Sequence, residues 1–561
     1  MTYLYRLLAS SSLTKFLLLL PIAGFFIYFF TLRYNIPWFD DYENIPYFLN
    51  RFLQAPSFSE KMAALFRPNN EHRVVYARLV VLVQYFLTGG INFGNLMLWG
   101  NAGLVLMICL LYFALSKREN NSQNARIGLL AAPLLLFTAQ TYIMTFTAIF
   151  SLQYLTIITL VMLTLFVLAT NRPLMLALAL ALGLLSTFSM GNGLLLWPSG
   201  AAMLLIQRRW SALGIWIVVG ALGGYLYFLG YPVQQGNAQG FSYILQHPFQ
   251  TIAGFLIFAG SPFDLFPTLP EKHRYYLPFL AGLILVTGLG YWFFKILFRS
   301  RKNTLFFETF VFGCLLFLLV NIGLIAFFRI RFYFGMVIHI PYRIYALALW
   351  AVASLVLFDQ LSTRLRPKIW PAVWLLFVLV NVISYYTYVP EAIERRKHMQ
   401  GQVFNQRESH IGLGGTRNSN LGDYIDSLTM LMAKKDWYHL PDPAITPDEH
   451  KVKAPVSTTT ATTTLAIRRQ GDYIIATSNE PDYKVGLNTA TYLIMKSDSL
   501  VYLLFAAPKR PLTINPWRIE PGFSTPMPIY IMQTGRYRLG LLRTYPDHTD
   551  IQFGNQWVDV P

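Results

Sequence analysis

Charge is what this chain has least of. Only 13% of its 561 residues are Asp, Glu, Lys or Arg, against 55% hydrophobic residues, and the mean hydropathy is +0.43. That balance excludes a soluble multi-domain protein, in which about a quarter of the residues carry charge. Cysteine is nearly absent as well. The two present, Cys109 and Cys314, both fall in uncharged runs, so no disulfide is available to any exported part. No glycine-rich phosphate loop, dinucleotide fingerprint or Cys/His metal spacing occurs, so the sequence supports neither ATP hydrolysis nor a metal ion or bound cofactor. A tandem repeat is also missing.

What is abundant is apolar chain. Runs such as Phe16–Leu32, Leu96–Leu115 and Ala148–Thr170 approach or exceed the length that crosses a bilayer core. The formal charge of +18 is unevenly spread: from Glu391 onward 19 Lys/Arg face 17 Asp/Glu, whereas the first 390 residues hold 26 basic and 10 acidic ones. The excess lies mainly in short loops between apolar runs, as the positive-inside rule requires. It therefore argues against a nucleic-acid partner and for membrane lipids and a phosphate-bearing substrate.

Taking the basic loops Lys117–Arg126, Arg172, Arg208–Arg209, Arg299–Lys302 and Arg364–Lys368 as cytoplasmic gives a polytopic all-α membrane domain over residues 1–390. Its eleven or so transmembrane helices fall near 14–32, 94–116, 128–141, 150–170, 174–189, 191–206, 212–230, 276–298, 304–328, 342–358 and 369–389. Arg6 and Lys15 precede the first run and no small-x-small site follows, so it reads as an uncleaved anchor. Two further apolar stretches, Val74–Thr88 and Thr251–Phe263, are expected to lie on the outer face as interfacial or re-entrant helices. An odd number of crossings exports everything after Pro390. Residues 391–453 read as a linker with short helices. After the threonine-rich tract Ser457–Thr464, residues 454–561 read as a small β-sandwich-like soluble domain with strands at Asp472–Thr477, Ala490–Met495, Leu500–Phe505, Ile529–Met532 and Arg536–Leu541.

The outer loop 33–93 carries the strongest chemical signal, Trp38-Phe39-Asp40-Asp41-Tyr42-Glu43. Carboxylates just past a span need water or a partner. One of them either serves as a general base for an attacking hydroxyl or caps a helix start. Further on, Glu71, His72 and Arg73 precede an apolar stretch that contains Arg78. This arginine either holds a pyrophosphate or carboxylate or snorkels to lipid phosphate. His273, Arg274, Arg329 and Arg343 also fall on the outer side. They face either a polyprenyl phosphate or internal acids such as Asp264, Glu271 and the Asp40–Glu43 group. Tyr473, Tyr483, Tyr502, Trp517, Tyr530, Tyr537 and Trp557 either stack on sugar rings or fill the sandwich core.

An uncleaved first span, a long outer loop opening on an acidic pair, about eleven spans and an exported C-terminal domain resemble the GT-C class of membrane glycosyltransferases. Asp41-Tyr42-Glu43 is similar to the acidic opening of that loop in several members. Asn70-Glu71-His72-Arg73 with Arg78-Leu79, Gly191-Asn192-Gly193 with Trp197-Pro198, and Arg329 with Arg343-Ile344-Tyr345 look like bacterial multi-span proteins of this type, some linked to surface-polysaccharide modification. The resemblance covers residues 10–390. It implies a bacterial inner-membrane enzyme that uses a polyprenyl-phosphate sugar as donor and a glycan or lipid as acceptor, with inversion. By the same resemblance Asp41, or else Asp40, is the catalytic base; Arg343 and Arg329 face the lipid phosphate, and His72 and Arg73 line the cavity. Ile344 stands where the family pattern has tyrosine. The alternative function is a transporter or flippase of a lipid-linked sugar, for which charge deep in the spans would be needed; Glu308 is the main such residue.

Overall fold

A computed structural model describes residues 1–70, 72–119, 122–231, 237–298, 306–442, 449–454, 465–480 and 483–561, with the backbone alone over 237–240. Glu71, the basic loop Arg299–Lys302 and the tract Ser457–Thr464 lie outside the described residues. The chain forms two compact units. One comprises Met1–Thr31, Phe48–Leu82 and Asn95–Tyr388; the other comprises Leu32–Tyr47, Val83–Gly94 and Val389–Pro561.

The first unit is helical. Among the described residues, nine helices of the chain are long and apolar enough to cross a membrane: Ser11–Leu32, Phe93–Glu119, Ser122–Thr145, Ala148–Ala169, Trp210–Phe228, Glu271–Phe298, Phe306–Arg329, Ile340–Gln360 and Arg366–Ser409. The chain is thus a multi-pass membrane protein. Two of the eleven expected spans, Pro173–Thr187 and Gly191–Ile206, are apolar but shorter helices; 15 residues rise about 22 Å, against a hydrocarbon core of about 30 Å. Val75–Thr88 and Pro248–Ala259 are short for the same reason. Glu308 lies in the first turn of its helix, at an end rather than in mid-span.

Close backbone approach sets some of the helix packing. A Cβ on Gly260 would stand 1.9 Å from the Pro278 carbonyl oxygen, and one on Gly282 would stand 1.8 Å from that of Leu256. Only hydrogen fits where Pro248–Ala259 meets Glu271–Phe298. At the Gly191–Leu195 turn, a Cβ on Gly193 would sit 2.0 Å from the Ser186 oxygen. Trp197 follows, its ring against Trp216 and its indole N–H donating to Thr187 Oγ1 at 2.8 Å.

Among the described residues the second unit ends in seven strands: β1 (Ala466–Gln470), β2 (Tyr473–Ser478), β3 (Ala490–Lys496), β4 (Val501–Phe505), β5 (Phe523–Pro528), β6 (Gly535–Thr544) and β7 (Thr549–Val560). They form two antiparallel sheets, β1-β2-β5 and β4-β3-β6-β7. Ile474 and Ala476 of β2, Phe523 and Met527 of β5, and Leu493, Tyr502, Leu541 and Val558 of the larger sheet close on one apolar core, as in a sandwich. The stretch expected as a strand at Ile529–Met532 is instead a tight turn over Ile529–Ile531. Helix Arg366–Ser409 runs on through Pro390 for 44 residues, so the segment after 390 begins as helix. Its Phe404 enters a second apolar cluster with Tyr492, Leu503 and Phe505. Asn405 brackets edge strand β4, its amide donating to the Leu503 oxygen at 2.9 Å and accepting from the Leu503 N–H at 2.7 Å.

Candidate functional site

The acidic turn belongs to the second unit. Phe39 takes a left-handed backbone, φ 45, unfavourable for a bulky residue, and its ring packs against Gly414, itself at φ 101. Such strain persists only where the surroundings impose it. The turn sends neighbouring carboxylates to different fates. Asp41 is wholly buried, and its Oδ2 accepts the Trp38 N–H at 2.8 Å. Asp40 is exposed, yet the surrounding protein thins its hydration and, with the Glu43 charge, pushes its carboxyl above the usual range. Glu43 opens a wide π-turn, Glu43–Tyr47, and accepts the Tyr424 hydroxyl. Helix Asn420–Lys434 supplies that tyrosine. It is started by Ser419, whose hydroxyl takes the Gly422 N–H at 3.0 Å. From the same helix Thr429 meets the hydroxyl of buried Tyr42 at 3.2 Å.

The remaining candidate residues belong to the first unit, where several turn out to hold helix ends. The Arg73 guanidinium donates to Tyr227 O at 2.9 Å, to Leu229 O at 2.7 Å and to Phe66 O. These carbonyls lie at the carboxyl ends of helices Trp210–Phe228 and Phe58–Phe66. Arg78 donates to Leu65 O at 2.9 Å and Arg67 O at 2.6 Å, and stacks on Phe48. Carbonyls at helix carboxyl ends lack intrahelical donors and carry partial negative charge, so a guanidinium satisfies both needs. His72 Nδ1 accepts the Gly191 N–H at 3.4 Å.

Arg343 and Arg274 share one carboxylate. Arg343, 0% exposed, donates to Asp264 Oδ2 at 2.6 Å, to Ile338 O at 2.8 Å and to the Tyr388 hydroxyl. Arg274 grips the same carboxylate in fork geometry at 2.9 and 2.6 Å. Both arginines thus make the internal ion pair expected as one of their two readings. His273 stands exposed on the one-turn helix Glu271–Arg274.

Arg329 is differently situated. It lines a cavity of about 320 Å³ whose walls include Leu194, Leu324, Ile325 and Phe328 and whose polar members are Asn192 and Asn321. The Asn192 amide donates to Asn321 Oδ1 at 2.8 Å and to the Tyr345 hydroxyl at 2.5 Å. Its own Oδ1 is buried with no hydrogen-bond partner. The sequence gives no sign of this pairing, since two uncharged amides 129 residues apart carry no pattern. Of the tail aromatics, Tyr502 and Tyr537 are core, while Tyr473, Trp517, Tyr530 and Trp557 are exposed. Compared with known proteins, the chain matches no family model, no curated protein and no solved structure.

Proposed function

We propose that the chain is a GT-C-like membrane glycosyltransferase. In this reading it takes a sugar from a polyprenyl-phosphate donor and passes it, with inversion, to a hydroxyl of a glycan or lipid. The observation that carries the reading is the cavity at Asn192. Apolar walls suit an isoprenoid, the Arg329 guanidinium suits a phosphate, and the Asn192 and Asn321 amides on the lining suit sugar hydroxyls.

Arg329 would neutralise the charge that grows on the phosphate as the bond from the anomeric carbon to the phosphate oxygen breaks. The proton of the acceptor hydroxyl, released as its oxygen bonds to that carbon, needs a base, and among the acids of the outer loop Asp40 has the chemistry for it. Its exposure and raised pKa suit a base, whereas Asp41 is committed to the Trp38 N–H. Arg329 is given the phosphate because it lines the cavity, which Arg73, Arg78, Arg274 and Arg343 do not. The reading puts residues after Pro390 on the non-cytoplasmic face of a bacterial inner membrane.

The test is transfer of label from a radiolabelled polyprenyl-phosphate hexose in proteoliposomes of the full chain. Transfer is expected to fall roughly 10²–10⁴-fold in Asp40→Asn and at least tenfold in Arg329→Ala. Near-normal transfer in both variants sinks the assignment, and relocation of intact donor across the vesicle with no new bond replaces it by transport. Sidedness is checked by thiol labelling at Ser122→Cys and Asp547→Cys in a chain lacking Cys109 and Cys314. Only the second is expected to react from the outside.

A further inference from the structure

The first unit also holds a larger cavity, about 510 Å³, between helices Glu271–Phe298, Ile340–Gln360 and Arg366–Ser409. It shares no lining residue with the one at Asn192. Its concavity is written in small residues. Gly288, Ala353 and Ser354 are all on the lining, and a Cβ added at Gly288 would meet nothing within 4 Å. The aromatic wall is fixed in place: the Trp350 indole N–H donates to Ala259 O at 2.8 Å, and its ring lies 6.0 Å from that of Phe377. From Ile284 to Lys295, both on the lining, eleven residues of helix run about 16 Å. The groove is therefore long, apolar and open along candidate membrane spans.

Its Lys295 end is cationic. Lys295 Nζ donates to the neutral Gln360 Oε1 at 2.7 Å. Asp359, beside Gln360, already pairs with Arg118 at 2.6 Å. Arg366, which donates to the carbonyls of Phe358 and Leu361, pairs with Glu119 at 2.8 Å. Those two arginines have carboxylates, whereas the Lys295 ammonium meets an amide. An ammonium at the end of an apolar groove on membrane helices matches a phosphate joined to a hydrocarbon chain.

We propose that this groove holds one anionic glycerophospholipid, with an acyl chain laid along Gly288 and the headgroup phosphate against Lys295. The binding is independent of the glycosyl-transfer reading and uses none of its residues. The experiment is native mass spectrometry of the delipidated full chain, titrated with phosphatidylglycerol or with phosphatidylcholine.

One phosphatidylglycerol is expected to bind at least tenfold more tightly than phosphatidylcholine. That preference should disappear in Lys295→Gln and persist in Lys295→Arg. Gly288→Phe fills the groove and should weaken binding at least tenfold. Gly290→Phe, a neighbouring glycine that also faces open space but does not line the groove, should not, and it controls for insertion and folding of such variants. Equal affinity for the two lipids, unchanged binding in Gly288→Phe, or displacement of the phosphatidylglycerol by polyprenyl phosphate would each overturn the proposal.

Discussion

Adjacent acids in this protein do opposite things. In the turn that follows Phe39 at φ 45, Asp41 is buried against the Trp38 N–H and Asp40 is exposed. The folded-state pKa of Asp40 lies above its unfolded value, so its contribution to stability is complete in acid and is lost as pH rises through the shifted pKa. Asp40→Asn should therefore melt no lower than the parent at pH 7, and the two should converge near about pH 3; thermal denaturation across that range checks this. For the proposed reaction the sign is reversed: a base must be ionised, so transfer should climb with pH on a limb displaced upward from the ordinary carboxylate range. Asp264 is the opposite kind of acid, its one charge shared by two guanidiniums, one of them fully buried. Asp264→Asn leaves those cations uncompensated and should destabilise the protein by roughly 3–5 kcal/mol, read as a lowered denaturation midpoint in detergent.

At the scale of elements, what was legible in the sequence was whatever repeats with a period. Strands β2, β3, β4 and β6 alternate or run apolar, and were expected close to where they lie. β1 is exposed at every position, β5 carries Pro526 and Pro528, and β7 interleaves amides and acids with its few apolar residues. β1 and β7 give no clean alternation, and the prolines of β5 disguise the alternation by which Phe523, Thr525 and Met527 are buried. Pro173–Thr187 and Gly191–Ile206, expected as spans on apolarity, form helices shorter than the nine long ones, because apolarity does not fix helix length. Proline misled in the other direction, because the helix continues past Pro390. Asp264 was among the partners expected for Arg274 and Arg343, but those of Arg73 and Arg78 were not, since a helix end built from distant carbonyls leaves no local mark. Glycine contacts are equally silent in sequence and sharp in consequence. Gly282→Ala drives a methyl into the Leu256 carbonyl and should cost roughly 1–3 kcal/mol, whereas Gly214→Ala, with nothing within 4 Å, should cost nothing. Paired thermal melts separate the two.

At the scale of the whole molecule, the β-rich tail is not a detachable appendage of the second unit. Phe404 and Asn405 on the long helix find their partners in β3 and β4. A chain ending at residue 453 would expose that apolar surface and leave buried polar groups unmatched. Limited proteolysis should then degrade residues 391–453 rapidly in the truncated protein, while the intact chain resists; equal resistance would show that the two parts fold separately. The amide of Asn405 has one more effect. It occupies both backbone groups of Leu503, stopping one border of the four-stranded sheet as a cork does. Any fibril or accidental dimer that grows from this sheet by recruiting a strand must therefore start at the other margin, along Thr549–Val560.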